Sequence, residues 1–239
     1  MGGGVTFLAQ AATPSGWMAW VAVPMANVME WLYGYIPNYG WVIVLLTLAL
    51  RLLLWPFQSQ MNRSQRLMPA LAPRIKEIKE RNQGDRTRIQ QETMALYKEN
   101  GLNPAAGCLL ILLVVVLSWG LVDCRVVFQG QSWLWIDDLS RPDRLAFFGL
   151  PIAPLAIGVA LALFALSRLI PMGSSLSSPW AAAGMALMIY FTFNTSMAAL
   201  SLAWATSNLV MVLQTWWEKG RMIPAPPGGD SPGSNLDPA

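Results

Sequence analysis

One charged side chain stands inside a long apolar stretch of this sequence. The run LTLALRLLLWPF, residues 46–57, is apolar except for Thr47 and Arg51. The two lie four positions apart, so a helix points both side chains in the same direction. An arginine keeps its charge in proteins and offers several hydrogen-bond donors. The pair therefore predicts the attraction of an acidic or hydrogen-bond-accepting group within an apolar setting.

Other kinds of chemistry lack the residues they would need. The sequence contains no His, which excludes Ser/His catalysis and histidine metal sites. No G-x-x-x-x-G-K-[ST] motif for ATP occurs. Coupling to protons or cations would normally require Asp, Glu or His along the membrane path. We therefore expect a protein that is not an enzyme, with no cofactor and no metal ion.

The composition indicates a membrane protein. Hydrophobic residues make up 54% of the chain and charged residues 12%, whereas soluble domains carry roughly 25% charged residues. Residues 100–122, 145–167 and 169–217 carry no charge, and about 20 apolar residues cross a bilayer. The last run divides at the turn residues of 171–179 and 194–197. We predict an all-α, polytopic membrane protein with five spanning helices at about 39–58, 104–124, 148–168, 180–195 and 198–217.

Basic residues set the predicted orientation. Nine Lys or Arg lie between Arg63 and Lys98, and loops rich in these residues stay in the cytoplasm. Five spans then leave the N-terminus outside and the C-terminus in the cytoplasm, and Lys219 and Arg221 agree with this orientation. Because no Arg-rich transit peptide is present, the predicted location is the bacterial plasma membrane. Acidic residues are interleaved with the basic ones, so we expect no nucleic-acid site.

Three regions follow from these patterns. Residues 1–38 form an exported N-terminus, residues 39–217 the five-span core, and residues 218–239 a tail that we expect to be disordered. Residues 14–36 place Trp and other apolar side chains near one helical face, which favours a helix lying in the membrane interface. Pro24 must bend or break that helix. A sixth span over the same residues stays open as an alternative and would reverse the N-terminal side.

A charged segment interrupts the core. Residues 61–100 predict two amphipathic helices joined at 82–85, with Asp85 as the N-cap of the second helix. We expect a mobile cytoplasmic hairpin, which is either a docking arm for protein or lipid head groups or a plain solvated linker. The first helix carries an apolar stripe of Leu67, Leu71, Ile75 and Ile78. Its predicted i,i+4 ion pairs are Lys76–Glu80 and Glu77–Arg81. The candidate docking residues are Arg63, Arg66, Arg74, Lys76, Lys79 and Arg81.

The two cysteines, Cys108 and Cys124, lie on one predicted helix. Their positions are about 24 Å apart along that helix, whereas a disulfide requires Cα atoms within about 7 Å. They cannot pair within the chain. Both are expected to be buried structural thiols.

Arg51 has two open interpretations. An arginine near the centre of a span costs about 3 kcal/mol, and roughly ten Leu, Ile or Val in residues 42–54 return about 0.3–0.6 kcal/mol each. Within the predicted spans the one carboxylate is Asp123, at the far end of its helix. Arg51 therefore either snorkels to the cytoplasmic interface or faces a hydrated cavity, where a transient guest satisfies its charge.

Several motifs together resemble one family. The run YGWVIVLLTLALRLLLWPF, followed by PRIKEIKERNQGDRTRIQQETMALYKENGLNPAAGC, is similar to the core of the YidC/Oxa/Alb membrane-protein insertases. LWIDDLS, residues 134–140, and SNLVMVLQ, residues 207–214, match two further family segments in the expected order. The similarity covers about residues 31–217.

The resemblance implies a five-helix core around a polar groove that is open to the cytoplasm and to lipid. Arg51 takes the place of the groove arginine and Thr47 that of a groove threonine, and Ser207 and Asn208 join them as substrate-groove residues. The hairpin would receive the incoming chain. The large exported domain of some members has no counterpart in the sequence, which predicts a compact form.

The function implied by the resemblance is ATP-independent insertion and chaperoning of small membrane proteins. Partners would be newly made membrane proteins and lipids, with a Sec-type translocon and the ribosome as further candidates. The chain departs from the family at Val114, within an apolar stretch at 109–117 where a Gln is usual, and at Trp204, where Tyr is common. These changes make the groove less polar and leave open an assembly or folding factor of the same fold. A small channel that uses Arg51 as an anion filter is a further alternative.

Overall fold

The computed structural model describes residues 19–102, 104–147, 150–169 and 178–221. Within these ranges the helices are α1 (Ala19–Tyr33), α2 (Tyr39–Leu53), α3 (Trp55–Arg81), α4 (Arg86–Glu99), α5 (Pro104–Asp123), α6 (Pro154–Leu169), α7 (Pro179–Asn194) and α8 (Ala198–Arg221). A short 3₁₀-helix, Cys124–Phe128, follows α5. Two antiparallel strands, β1 (Leu145–Phe147) and β2 (Leu150–Ile152), precede α6. The prediction of a mainly helical fold is confirmed, whereas the small β-ribbon was not predicted.

The predicted spans fall on α2, α5, α6, α7 and α8. By length and hydropathy, and among the described residues alone, Ala198–Glu218 could cross a membrane by itself, and the bent pair of α2 and α3 could form a second span. Pro154–Leu169 is a shorter apolar helix. The count of five spans therefore stays a prediction.

Large apolar side chains cover much of the outer surface. The most exposed examples on α2, α5, α6, α7 and α8 are Leu52, Leu53, Leu112, Trp119, Leu161, Trp180, Met188, Leu209, Leu213 and Trp216. Soluble monomers rarely expose contiguous apolar patches beyond a few hundred Å². An outer surface of this kind is typical of helices that contact lipid.

A sharp bend separates α2 from α3. The two helices meet at Leu54 with an angle of 63°, although the sequence predicted one span over 39–58. Pro56 explains the difference, since it has no N–H and its ring would clash with the carbonyl of Leu52 in a continuous helix. The chain therefore changes direction just beyond Arg51.

Helix α8 lies at the centre of the fold. It packs against α2, α5 and α6 and touches α3. The main core gathers the start of α8, the start of α2 and the segment after α5, and includes Tyr39, Val42, Ile43, Phe128, Trp133, Leu139, Ala198 and Leu202.

Cys124 is a buried free thiol in this core, as predicted, whereas the side chain of Cys108 lies outside the described residues. Helix α8 runs to Arg221, so the predicted disordered tail does not begin at 218; residues 222–239 lie outside the description.

The described N-terminal helix begins where the described residues begin, at Ala19, and ends at Tyr33, before its predicted end at 36. Of the predicted 14–36, the structure describes α1 over 15 residues, with Pro24 inside it and not breaking it. Helix α1 packs against α2 and α5.

An aspartate sets the start of α6. Oδ2 of Asp143 accepts a hydrogen bond from the backbone N–H of Leu155 at 2.9 Å, and its Oδ1 accepts from Trp135 Nε1 at 3.0 Å. The helix therefore begins at Pro154, with residues 150–152 extended in β2, and not at 148 as predicted.

Helices α3 and α4 pack against each other as a helical hairpin, and its location in the cytoplasm stays a prediction. Leu71, Leu96 and Leu102 are buried between them, with the rest of the predicted apolar stripe packed alongside. Asp85 caps α4, as predicted, by accepting a hydrogen bond from the N–H of Arg88 at 2.9 Å.

One of the two predicted ion pairs of the hairpin is present. Lys76 Nζ lies 3.7 Å from Glu80 Oε1. The pair Glu77–Arg81 was wrong, because Arg81 Nη2 reaches across to Glu92 on α4 at 2.5 Å. Asn82 Nδ2 donates to the same Glu92 oxygen at 3.0 Å. The contact joins the ends of both helices.

Replacement of Gly40 by alanine should destabilise the protein. A Cβ at this position would lie 2.1 Å from the ring of Trp133, and such overpacking costs about 1–3 kcal/mol. We expect a lower thermal unfolding temperature in nanodiscs. Gly158→Ala is the control, since nothing lies within 4 Å of its new Cβ; an equal loss in both variants would contradict the expectation.

The pH should control how firmly the hairpin closes. The hydrogen bond from Arg81, helped by Asn82, lowers the pKa of Glu92. A carboxylate with a lowered pKa adds stability above its unfolded pKa of about 4.3, and this stability is lost as the pH falls through the folded value. Spin-label distances between α3 and α4 should therefore be narrow at neutral pH and broaden below about pH 4.

Glu92→Gln is the matched variant for this measurement. It should show the broader distances already at neutral pH and respond little to acid. A wild-type hairpin that keeps its distances in acid, or a variant that responds equally, would show that Glu92 does not close the hairpin.

Candidate functional site

A cavity of about 110 Å³ lies between α1, α2, α5 and α8. Its lining consists of Met25, Ile43, Leu46, Thr47, Leu50, Arg51, Leu54, Val114, Leu117, Ser118, Leu121, Leu200, Ala203, Trp204 and Ser207. The α2 residues recur every three or four positions, which places them on one helical face. Most of the lining is apolar, and its polar atoms come from a few side chains on three helices.

Arg51 is the charged residue of the lining. Its Nε donates to Ser207 Oγ on α8 at 2.5 Å. Its Nη1 donates to Gln58 Oε1 on α3 at 3.4 Å and lies 3.9 Å from the sulfur of Met211. None of the ion pairs among the described residues involves Arg51. The half-buried guanidinium is therefore held by neutral groups.

One end of the guanidinium stays available. Among the described residues, Arg51 Nη2 donates no hydrogen bond. A charged donor within an apolar cavity attracts an acidic or carbonyl group more strongly than it would in water, because the effective dielectric constant is lower. The cavity can therefore receive a hydrogen-bond acceptor from a guest.

A second polar contact crosses the cavity between α5 and α8. Trp204 Nε1 donates to Ser118 Oγ at 3.1 Å, and Ser118 donates in turn to the Val114 carbonyl at 2.7 Å. Trp204, which stands where Tyr is common in the family, therefore contributes a hydrogen-bond donor to the cavity wall. Sequence reasoning missed Ser118, which lies in a nearly continuous apolar run.

Three of the four predicted groove residues meet in the cavity. Thr47, Arg51 and Ser207 all line it. Asn208 does not: it is buried, and its Nδ2 donates to the carbonyl of Trp204 in its own helix at 2.9 Å. The rotation of α8 therefore turns Ser207 toward the cavity and Asn208 away from it.

The six predicted docking residues divide into two groups. Arg63, Arg74, Lys76 and Lys79 have exposed side chains. Arg66 is half-buried and donates to the Thr215 carbonyl of α8 at 3.3 Å, and Arg81 holds Glu92 across the hairpin. The latter two therefore also have contacts within the chain.

A carboxylate unnoticed in the sequence lies at the far end of α8. Glu218 Oε1 accepts from Ser59 Oγ and from Gln214 Nε2, the latter at 2.9 Å. Its Oε2 accepts from Asn62 Nδ2 at 3.0 Å. Glu218 stands one residue beyond the predicted last span, so the sequence does not predict it as a partner for Arg51.

The chain matches one family model over most of its length. The model described as 60Kd inner membrane protein matches residues 31–225. This range contains the hairpin and all of the cavity lining except Met25.

Curated relatives carry the name membrane protein insertase YidC. The protein of Syntrophobacter fumaroxidans is 30% identical over 218 residues, covering 87% of this chain and 39% of the relative. That of Cupriavidus pinatubonensis is 34% identical over 206 residues, covering 84% and 36%. That of Campylobacter jejuni is 33% identical over 214 residues, covering 87% and 39%. The chain therefore spans little more than a third of the length of these relatives.

A solved structure has a similar fold. The crystal structure of an active YidC insertase with its first transmembrane domain resolved superposes with a TM-score of 0.60 at 26% identity. The match covers 85% of this chain and 47% of that one.

A cysteine at position 207 should react with a water-soluble maleimide. Ser207 lines the cavity beside Arg51, and a thiol must meet water to form the reactive thiolate. We expect Ser207→Cys, in a protein without its native cysteines, to react at least about tenfold faster than Ser201→Cys. Ser201 lies on the same helix and is 1% exposed. Equal rates at both positions would show that the cavity is dry.

Proposed function

The chain belongs to the YidC/Oxa/Alb family of membrane-protein insertases, and we propose that it moves short polar tails of client proteins across a bacterial inner membrane. The clients are newly made membrane proteins. The protein also holds them as a chaperone and is not an enzyme. Arg51, Thr47 and Ser207 form the groove that receives the tail.

One observation carries this proposal: a guanidinium in the cavity has a donor with no acceptor among the described residues. An acidic tail segment supplies that acceptor. The cavity wall contributes Thr47 and Ser207 as further polar partners. A polar tail is thereby stabilised partway into the bilayer, where it would otherwise lose its hydrogen bonds to water.

The energy for the transfer comes from the client's own span. Twenty apolar residues that enter the bilayer at about 0.5 kcal/mol each release about 10 kcal/mol. This amount offsets the crossing of a short tail, so no ATP is needed. The absence of a nucleotide-binding loop from the sequence is consistent with this account.

The hairpin faces the cytoplasm in this proposal and meets the client first. Its exposed basic residues, Arg63, Arg74, Lys76 and Lys79, suit anionic lipid head groups or an incoming chain. A Sec-type translocon or a ribosome would approach from the same side. The N-terminus is outside and the C-terminus in the cytoplasm.

The cavity wall favours one second candidate. Val114, Leu117 and Leu121 present an apolar surface of α5 to the cavity that Arg51 also lines. Such a wall suits an assembly or folding factor that holds the span of a partner without moving its tail. The two functions differ in whether a tail crosses the membrane.

Insertion into liposomes tests the proposal. A single-span client with an acidic tail is presented to liposomes that hold wild type, Arg51→Ala, Arg51→Lys or no protein, and the protease-protected tail is measured. We expect insertion with wild type, a loss of about tenfold with alanine and partial retention with lysine, which keeps the charge but not the planar donor geometry.

The control is Arg144→Ala, an exposed arginine that does not line the cavity, which should insert as wild type does. Insertion that is indifferent to Arg51→Ala would remove Arg51 from the mechanism. No insertion above empty liposomes, while a relative inserts the same client in parallel, would favour the assembly factor.

A further inference from the structure

Arg51 is connected to a carboxylate by two buried amide side chains. Arg51 Nη1 donates to Gln58 Oε1 at 3.4 Å, and Gln58 Nε2 donates to Asn62 Oδ1 at 3.1 Å. Asn62 Nδ2 then donates to Glu218 Oε2 at 3.0 Å. We call these four residues the relay.

The relay has a single direction. A guanidinium only donates hydrogen bonds and a carboxylate only accepts them. Glu218 therefore turns the amino group of Asn62 toward itself, and the carbonyl oxygen of Asn62 faces Gln58. Gln58 is oriented in the same way, with its carbonyl oxygen toward Arg51. Each amide is fixed by the charged group at its end of the relay.

The relay lies in a buried part of the protein. Gln58 is 3% exposed and Asn62 0%. Buried amides cost free energy unless their hydrogen bonds are made, so both are strongly held. Thr215 Oγ1 accepts a second hydrogen bond from Asn62 Nδ2 at 3.4 Å, which fixes the amide against α8.

The bend at Leu54 brings the relay residues together. Gln58 and Asn62 follow Arg51 by seven and eleven residues. Both belong to α3, and Asn62 contacts α8 across the joint between the helices. Glu218 is also attracted by Arg66. The Glu218 carboxylate therefore interacts with Arg66 on the hairpin and, through the two amides, with Arg51 in the cavity.

We propose that Gln58 and Asn62 are positioning residues that make Glu218 the remote counter-ion of Arg51. The counter-charge stabilises the buried guanidinium but stays too far away to occupy its free donor. The cavity thereby keeps a positive charge that an acidic client can still bind. This last step rests on the proposed function; the relay itself does not.

Labelling of Arg51 with phenylglyoxal tests the relay without any client. The reagent attacks a guanidine during its brief neutral excursions, so a weaker counter-charge speeds the reaction and a stronger one slows it. In nanodiscs, with the Arg51 peptide quantified by mass spectrometry, we expect Glu218→Gln to raise the rate about threefold or more. Gln58→Glu places a carboxylate directly on Arg51 and should lower the rate by a similar factor.

Matched controls separate the relay from a general loss of structure. Gln60→Glu and Glu99→Gln make the same chemical changes at exposed positions and should leave the rate unchanged. In an Asn62→Leu background, Glu218→Gln should no longer raise the labelling rate of Arg51, because the hydrogen bonds between Gln58 and Glu218 are already lost. A full effect in that background would mean that Glu218 acts through space, and the relay would be wrong.

The insertion assay separates failure of the relay from failure of the proposed function. Glu218→Gln should increase the ratio of insertion of acidic-tailed to neutral-tailed clients, and Gln58→Glu should decrease it. A purely structural role would reduce both clients alike. Labelling rates that move as expected without any client insertion would retain the relay and overturn the insertase, whereas unchanged labelling rates would overturn the relay whatever the insertion result.

Discussion

A charged guanidinium lies among apolar helices, and the rest of the structure depends on accommodating it. Burying an isolated charge is costly unless polar partners replace water. Here the partners are a serine of α8 and an amide of α3. No ion pair among the described residues neutralises Arg51 directly. A carboxylate in direct contact with Arg51 would occupy its free donor, whereas neutral partners hold the side chain and leave its charge available.

The architecture supplies these partners from different parts of the chain. Helix α8 is central and brings Ser207 to Arg51 from more than 150 residues away. The bend at Leu54 turns α3 so that its first turns lie against the end of α8. The same bend starts the hairpin, which is therefore joined to the cavity by the polar side chains at its base. A movement of the hairpin would pull on the groups that orient the guanidinium.

The sequence predicts those features that are encoded locally. Apolar runs between turn residues place the helices, and Asp85 caps the second hairpin helix as its position suggests. Features set by distant contacts are not predictable in this way: Asp143 caps α6, which starts eleven residues later. Asn208 faces away from the cavity because packing fixes the rotation of α8. The sequence does not predict Glu218 as a partner of Arg51, because Glu218 lies just beyond the predicted end of the last span. The sequence does not predict the bend at Pro56 either, because the apolar pattern continues through it.

The most direct measurement is photo-crosslinking from the cavity to a client arrested during insertion. A photoreactive residue replaces Ser207, which lines the cavity, or Leu209, which is 58% exposed on the same helix and does not line the cavity. We expect crosslinks from position 207 to the acidic tail, weakened when the tail is neutral or Arg51 is alanine, and crosslinks from 209 to lipid or to the apolar span. Equal crosslinking of the tail from both positions, or no dependence on its charge, would contradict the claim that the arginine receives the client.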